Sequence, residues 1–421
     1  MDSARIDAIA ELANTATQDD SEAAAARNHI FQLAAGAGIF PASILPLYEA
    51  RGRGELGGFT VPAVNIRGLT FDFARAMFEA MRAADCAAAV FEINRAEIGF
   101  TAQRPAEFAS QILAAAFASD WRGPVFLQLD HLMANASAYA GDREAEALAL
   151  EALIAESLAA GFGNIDIDAS TLVDLSFADV RDQQRPNVEL TARLARFVRA
   201  NEVPGPRVSI GGEIGEVGSH NSTAEELVAF VEGFLKATAG ESVGGLSKVS
   251  VQTGTRHGGI LLPDGSTADV ALDFDTLKRL SSICRDRYGM SGTVQHGAST
   301  LPETLFTRFP EVECAEVHLA TGFQDAVLDH PAFPAALRDE IHSWTLSALA
   351  GERQPGETDA QLIRRGRRKA WGPFKQRGLD LPGAERAAIR TTLSQRFLRL
   401  FEQLHVAGTR PVIERYVRSA T

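Results

Sequence analysis

The pair Asp130-His131 closes an apolar run, "VFLQLDH", and sets an acid directly beside an imidazole. Three further histidines stand in comparable places: His257 in "TGTRHGG", His296 in "VQHGAST" and His318 in "AEVHLATG", with Glu213 in "GGEIGE". Four of the chain's nine histidines thus fall at or near the ends of β-type runs. Each alone is more often a packed strand-end residue than a ligand. Three imidazoles and a carboxylate brought to one place suit Zn²⁺, which takes nitrogen and oxygen ligands and keeps a position open for substrate in catalytic sites. Gly211, Gly212, Gly258, Gly259 and Gly297 carry no Cβ, so backbone amides beside them could approach an anion closely.

Such residues converge only if the elements carrying them do. Eight short apolar runs recur at residues 59–66, 87–93, 125–131, 164–170, 207–215, 248–254, 292–299 and 315–322. They are rich in β-branched residues, and helix-like segments follow them. "FDFARAMFEAMRAA" and "EAEALALEALIAESLAAGF" have helical apolar spacing, the second ending at a glycine. "PNVELTARLARFVRANEV" predicts a helix that starts at its proline. This alternation predicts a (β/α)8 TIM barrel over residues 42–344, whose reacting groups would sit at the C-terminal strand ends. The competing doubly wound sheet lacks its glycine-rich dinucleotide turn after the first strand.

Two segments fall outside the barrel: an alanine-rich helical lead-in over residues 1–41 and a helical extension over 345–421. In the extension, "RRGRRK" reads as a solvated helix face or a subunit contact rather than a polyanion site, and Phe397, Leu398, Leu400 and Phe401 as a face packed on the barrel or a neighbour. The chain carries 41 basic and 54 acidic residues, a formal charge of −13, which argues against a nucleic-acid surface. No apolar run reaches the roughly 18 residues of a membrane span, and the N-terminus lacks a signal-peptide core. Cys86, Cys284 and Cys314 are scattered, predicting buried thiols in a reduced, cytoplasmic setting.

At this point the motifs, in order and spacing, resemble those of the class II, metal-dependent ketose-bisphosphate aldolases over about residues 42–330. "FTVPAVNIRGLTFDFARAMFEA" looks like that family's first strand and helix, and "FLQLDHL" is similar to its His-x-Asp-His segment. "GFGNIDIDASTLVDLS", "GGEIGEVG", "TGTRHGG", "QHGAST" and "VHLATG" match later motifs in turn. The resemblance implies His131, His257 and His296 as zinc histidines, Glu213 as a carboxylate that also reaches the metal, and Asp130 as the acid/base. It implies Gly258, Gly297, Ser299 and Thr321 as the substrate-phosphate site, and Asn65 at the first strand end as a substrate contact. One Zn²⁺ per chain, a monovalent cation near the phosphate, a sugar-phosphate substrate and a homo-oligomer are further implications.

Several positions depart from the family pattern. Gln128 replaces the first histidine of the His-x-Asp-His segment, and His318 stands at the last strand's asparagine, where it would contact substrate, bind another anion or simply pack. Asn221 aligns with the mobile-loop glutamate, leaving Glu216 or His220 as the loop base; the plain alternative is that "NSTAEE" caps the next helix. "FEINRAE" replaces the serine of strand two. The expected activity is reversible aldol cleavage of a ketose (bis)phosphate such as fructose 1,6-bisphosphate into dihydroxyacetone phosphate and an aldehyde. The alternatives are a different or non-phosphorylated sugar substrate, or a non-catalytic companion barrel, against which the retention of Asp130 with three metal histidines argues.

Overall fold

The computed structural model of the protein describes residues 3–203, 205–215, 220–254, 261–266 and 272–417. Nine strands form one parallel sheet: β1 (Ile39–Ala42), β2 (Val61–Asn65), β3 (Val90–Asn94), β4 (Gly123–Met133), β5 (Asn164–Asp168), β6 (Ser209–Glu213), β7 (Lys248–Val251), β8 (Thr293–Gln295) and β9 (Glu316–Leu319). Their order is β1-β4-β3-β2-β9-β8-β7-β6-β5, and a further β4–β5 pairing closes β2 to β9 into an eight-stranded barrel. Each of the eight predicted runs contains one barrel strand. The fold is a (β/α)8 barrel. β1 is additional: the sequence reading gave a helical lead-in, whereas Ile39–Ala42 pairs with the first residues of β4, Gly123–Phe126.

The helices follow local chemistry. Asp20 caps the helix Ser21–Gly36 by accepting from the Ala23 amide, and Thr223 with Glu226 forms a capping box on Ala224–Ala237. Gly161 (φ +87°) ends the helix Arg143–Ala159 in the left-handed region. The helix predicted to begin at Pro186 instead spans Val180–Asn201, because Asp179 supplies the cap by accepting from the Arg181 amide. Pro186 therefore lies inside it. Among the described residues no helix is long and apolar enough to cross a membrane.

The extension's long helix Gly383–Gln403 packs on the barrel. Phe397 is fully buried, stacks on Phe323 (centroids 4.5 Å apart, planes 10° from parallel) and meets Phe73 edge-on at 5.6 Å. Burial of each such ring is worth roughly 1.5–3 kcal/mol, so the extension is held firmly. Leu400 and Phe401 share this buried face, and Leu398 is only partly covered.

The barrel interior is not purely apolar. Lys248 Nζ, 1% exposed, lies 2.9 Å from Asp166 Oδ2 and donates to Gln128 Oε1 at 2.8 Å and to Glu316. Gln128 Nε2 donates to Glu92 and Glu316, and Tyr48 donates its hydroxyl to Glu316. Gly211 makes room for this plug, since a Cβ there would sit 2.3 Å from Asp166 Oδ1; at Gly212 it would strike Phe230. Those two glycines thus serve side-chain packing and not the approach of an anion. The plug also explains Gln128: it joins buried partners below the barrel mouth rather than binding a metal.

Candidate active site

Successive strand residues normally face opposite sides, so Asp130 and His131 can both face the barrel interior only if β4 breaks its pattern. It does. Leu129 pairs with Ile165 but Leu132 with Ile167, so two residues of β4 oppose one of β5. This is a β-bulge, and His131 takes φ +37° there. The bulge turns the acid and the imidazole toward one cavity, lined by both together with Asn65, Arg67, Asn94, His296, Gly297, Ser299, His318, Ala320, Thr321 and Arg368.

Around His131 the carboxylates gather. Its Nδ1 lies 3.0 Å from Glu213 Oε2 and 3.1 Å from Asp168 Oδ2. His296 packs on it with ring centroids 3.8 Å apart, and His296 Nε2 lies 3.7 Å from Glu213 Oε2. One ligand atom each from His131, Glu213 and His296 falls within 4.8 Å of the others. Burial disfavours a charged His131, but Glu213 and Asp130 outweigh it and hold the imidazole well above its ordinary value. That field favours a cation between these groups. His257, Gly258 and Glu216 lie outside the described residues.

Asp130 is gripped on both oxygens. Asn65 Nδ2 donates to Oδ2 at 3.1 Å and His318 Nδ1 meets Oδ1 at 2.9 Å. Burial alone would raise its pKa; His131, His318 and Asn65 overcome it and keep the carboxyl well below the usual range, hence ionised. His318 Nε2 meets Glu316 at 2.6 Å. Both its nitrogens therefore face carboxylates and donate, and against burial Glu92 and Asp130 hold it charged. His318 lines the cavity while it meets the acid above and the plug below.

The opposite wall is a tight turn of small residues. Gly297 takes a left-handed turn (φ +69°), Ser299 Oγ accepts from the Gly322 amide at 3.2 Å, and Thr321 begins the helix Thr321–Leu328. A Cβ at Gly322 would stand 2.1 Å from the Ser299 carbonyl oxygen, so this close approach requires glycine. Arg67 reaches Thr321 Oγ1 at 3.4 Å and pairs with Glu97, which also accepts from Asn65 at 2.9 Å. Arg368 lines the cavity too; burial, then Arg67, lowers its guanidinium to about 10.

Arg67, Arg368 and Asp168 escaped the sequence reading. Arg67 stands two residues after Asn65, and Arg368 lies within "RRGRRK", which the structure divides. Arg364 and Arg367 pair with Asp325 and Asp329, Arg365 with Glu357, and Lys369 with Glu352, while Arg368 turns to the mouth. The cluster is therefore not a plain solvated face: Arg367 is 4% exposed. His220 is exposed, its Nδ1 2.8 Å from the Asn221 carbonyl, and is not among the cavity-lining residues. Asn221 Nδ2 donates to Asp273 at 3.1 Å, and the next helix has the expected cap.

A closed (β/α)8 barrel with imidazoles, carboxylates and a glycine turn at the strand ends defines the class of protein. Within it, the profile of the class II fructose-bisphosphate aldolases matches residues 51–361, and the chain belongs to that family. Solved structures share the fold at low identity. The fructose-bisphosphate aldolase of Campylobacter jejuni is 17% identical, with a TM-score of 0.53 over 88% of this chain and 97% of its own. The YdjI aldolase of Escherichia coli K12 is 14% identical, with a TM-score of 0.52 over 87% and 98%. The fructuronate-tagaturonate epimerase UxaE of Cohnella laeviribosi is 13% identical, with a TM-score of 0.57 over 94% and 86%. No curated protein sequence matches the chain.

Proposed function

We propose that this protein is a zinc-dependent aldolase acting on a phosphorylated ketose. The observation that carries the reading is Asp130, ionised and held on both oxygens, beside His131, Glu213 and His296 in one cavity with Gly297, Ser299 and Thr321. His131, Glu213 and His296 would hold the metal, with His257 from the segment outside the described residues; nitrogen and oxygen donors of this kind fit Zn²⁺. When bound, the ion supplies a Lewis acid at the ketone oxygen.

The chain's own residues do the rest. Cleavage requires removing the proton from the hydroxyl beside the breaking C–C bond, and Asp130 accepts it. The electron pair of that bond stays on the ketone fragment, and the β6 loop, through Glu216 or His220, returns a proton there. In the condensing direction Asp130 gives its proton back to the new hydroxyl. Gly297, Ser299 and Thr321 receive the phosphate, and Arg67 and Arg368 add the positive charge that a dianion requires. No Schiff base enters. Lys248 is buried below the site and held charged by Asp166 and Glu316, and a charged amine is no nucleophile.

The two arginines also favour a second reading, because planar guanidinium groups match a carboxylate as well as a phosphate. Under it the substrate is a uronate and the same acid/base pair moves a proton without breaking a C–C bond. A panel of ketose mono- and bisphosphates and ketouronates, followed by triose-phosphate release and by epimer formation, tests both. Triose phosphate from a ketose phosphate in protein holding about one Zn²⁺ per chain is the expected result. Protein that stays metal-free in added zinc overturns the reading, and epimer formation alone replaces it with the second.

A further inference from the structure

Away from the barrel mouth, a groove of about 230 Å³ opens where three elements meet. Its walls are the helix Ser3–Thr15 of the lead-in, the helix Thr70–Ala83 of the barrel and the C-terminal helix Gly383–Gln403. Arg75, Arg386 and Arg390 line it, with Asp7 and Asp72 as its lining carboxylates. Asp72 accepts from Arg386 at 3.3 Å and from Arg390 at 3.1 Å. Glu79 lies 3.3 Å from Arg390 and 3.5 Å from Arg75.

These carboxylates leave the guanidinium groups incompletely served. The Nε atoms of Arg75 and Arg386 are buried, and neither meets an acceptor among the described residues. Arg75 is itself 8% exposed, so water does little for it. A buried donor without a partner carries a substantial desolvation cost. Burial, followed by the neighbouring Arg390, also lowers Arg75 from its ordinary value, although Glu79 and Asp72 oppose this. Three forked cations line a roomy groove, a geometry that matches an anion with several oxygens.

We propose that this groove binds a compact dianion of the phosphate class, inorganic phosphate or the phosphate of a small ester, at a site separate from the barrel mouth. The ligand would lie against both terminal segments and the barrel helix that follows β2, so binding ties the lead-in and the extension to the barrel. That helix also follows Asn65 and Arg67 in the chain, which gives the groove a short route to the mouth. The occupant is defined by its oxygens and charge, whether free phosphate or ester.

Titrating the full chain with inorganic phosphate, by calorimetry and by thermal melting, tests this. The expected result is a binding step and a rise in Tm that weaken by about tenfold or more in Arg386→Gln/Arg390→Gln, while Arg67→Gln/Arg368→Gln leaves that step intact. A small ester such as glycerol 3-phosphate that binds the groove far more tightly than phosphate would identify an ester as the occupant. Melting without phosphate reports whether the variant folds; if it does not, Arg390→Lys, which keeps the charge but loses the fork, should still weaken the step. Phosphate binding that is absent, or unchanged in the Arg386 and Arg390 variants, overturns the proposal. Neither outcome depends on aldolase activity.

Discussion

The barrel holds two dense charged clusters only a few residues apart along its strands, and they differ in whether they face a cavity. In the plug, Lys248, Gln128 and Tyr48 converge on Glu316, and Lys248 also holds Asp166. None of these groups lines the mouth cavity. At the mouth, Glu213 and Asp168 surround His131, and His296 packs on it, beside a cavity. Buried charge alone therefore does not mark a candidate site; charge that faces a cavity does. His318 joins the two clusters, with Asp130 above it and Glu316 below.

The contrast can be broken by substitution. Asp130→Ala should retain zinc, measured by metal analysis, and lose roughly 10²–10⁴-fold in kcat; unimpaired turnover would move the proton transfer elsewhere. Lys248→Met should leave Glu316 and Asp166 as buried charges without their cation, and cost about 3–5 kcal/mol in denaturant unfolding. Borohydride treatment of the wild type with substrate should trap no adduct, and an adduct on Lys248 would erase the distinction between plug and mouth. His318→Asn tests the link between them. It should lower kcat by about 10–100-fold, the scale seen when an outer partner of a site residue is lost, with KM and zinc content little changed; a purely structural role would lower stability and spare kcat. Arg368→Gln should raise KM for an anionic substrate by about tenfold, a loss of ~1.4 kcal/mol of binding, and leave a neutral analogue unaffected.

The same contrast explains what could be read without coordinates. Barrel strands are buried on both faces, so they announce themselves as apolar runs, and all eight were found. β1 hid because Ile39–Ala42 is four residues long, contains Pro41 and abuts a helix end. Pro186 misled because it suits a first turn, while the true start rested on Asp179. Asp130, His131 and His296 stood out by their place at strand ends, and the family motifs then implied their roles; periodicity alone would have put Asp130 and His131 on opposite faces, since a bulge leaves no mark in composition. Arg67 and Arg368 were not legible as mouth residues. Which arginine of "RRGRRK" turns inward depends on Asp325, Asp329, Glu352 and Glu357 claiming its neighbours.

The left-handed backbone at His131 has a consequence for how the protein balances robustness against use. A β-carbon in that region costs on the order of 1 kcal/mol that glycine would not incur. Asp130 cannot face the same cavity as His131 without that geometry. Glycine would relieve that strain but leave Glu213 and Asp168 without the imidazole they face, so His131→Gly should melt lower than the wild type with zinc withheld from both, and hold less zinc when it is supplied. The strained backbone is thus kept in place by the charged contacts it makes possible.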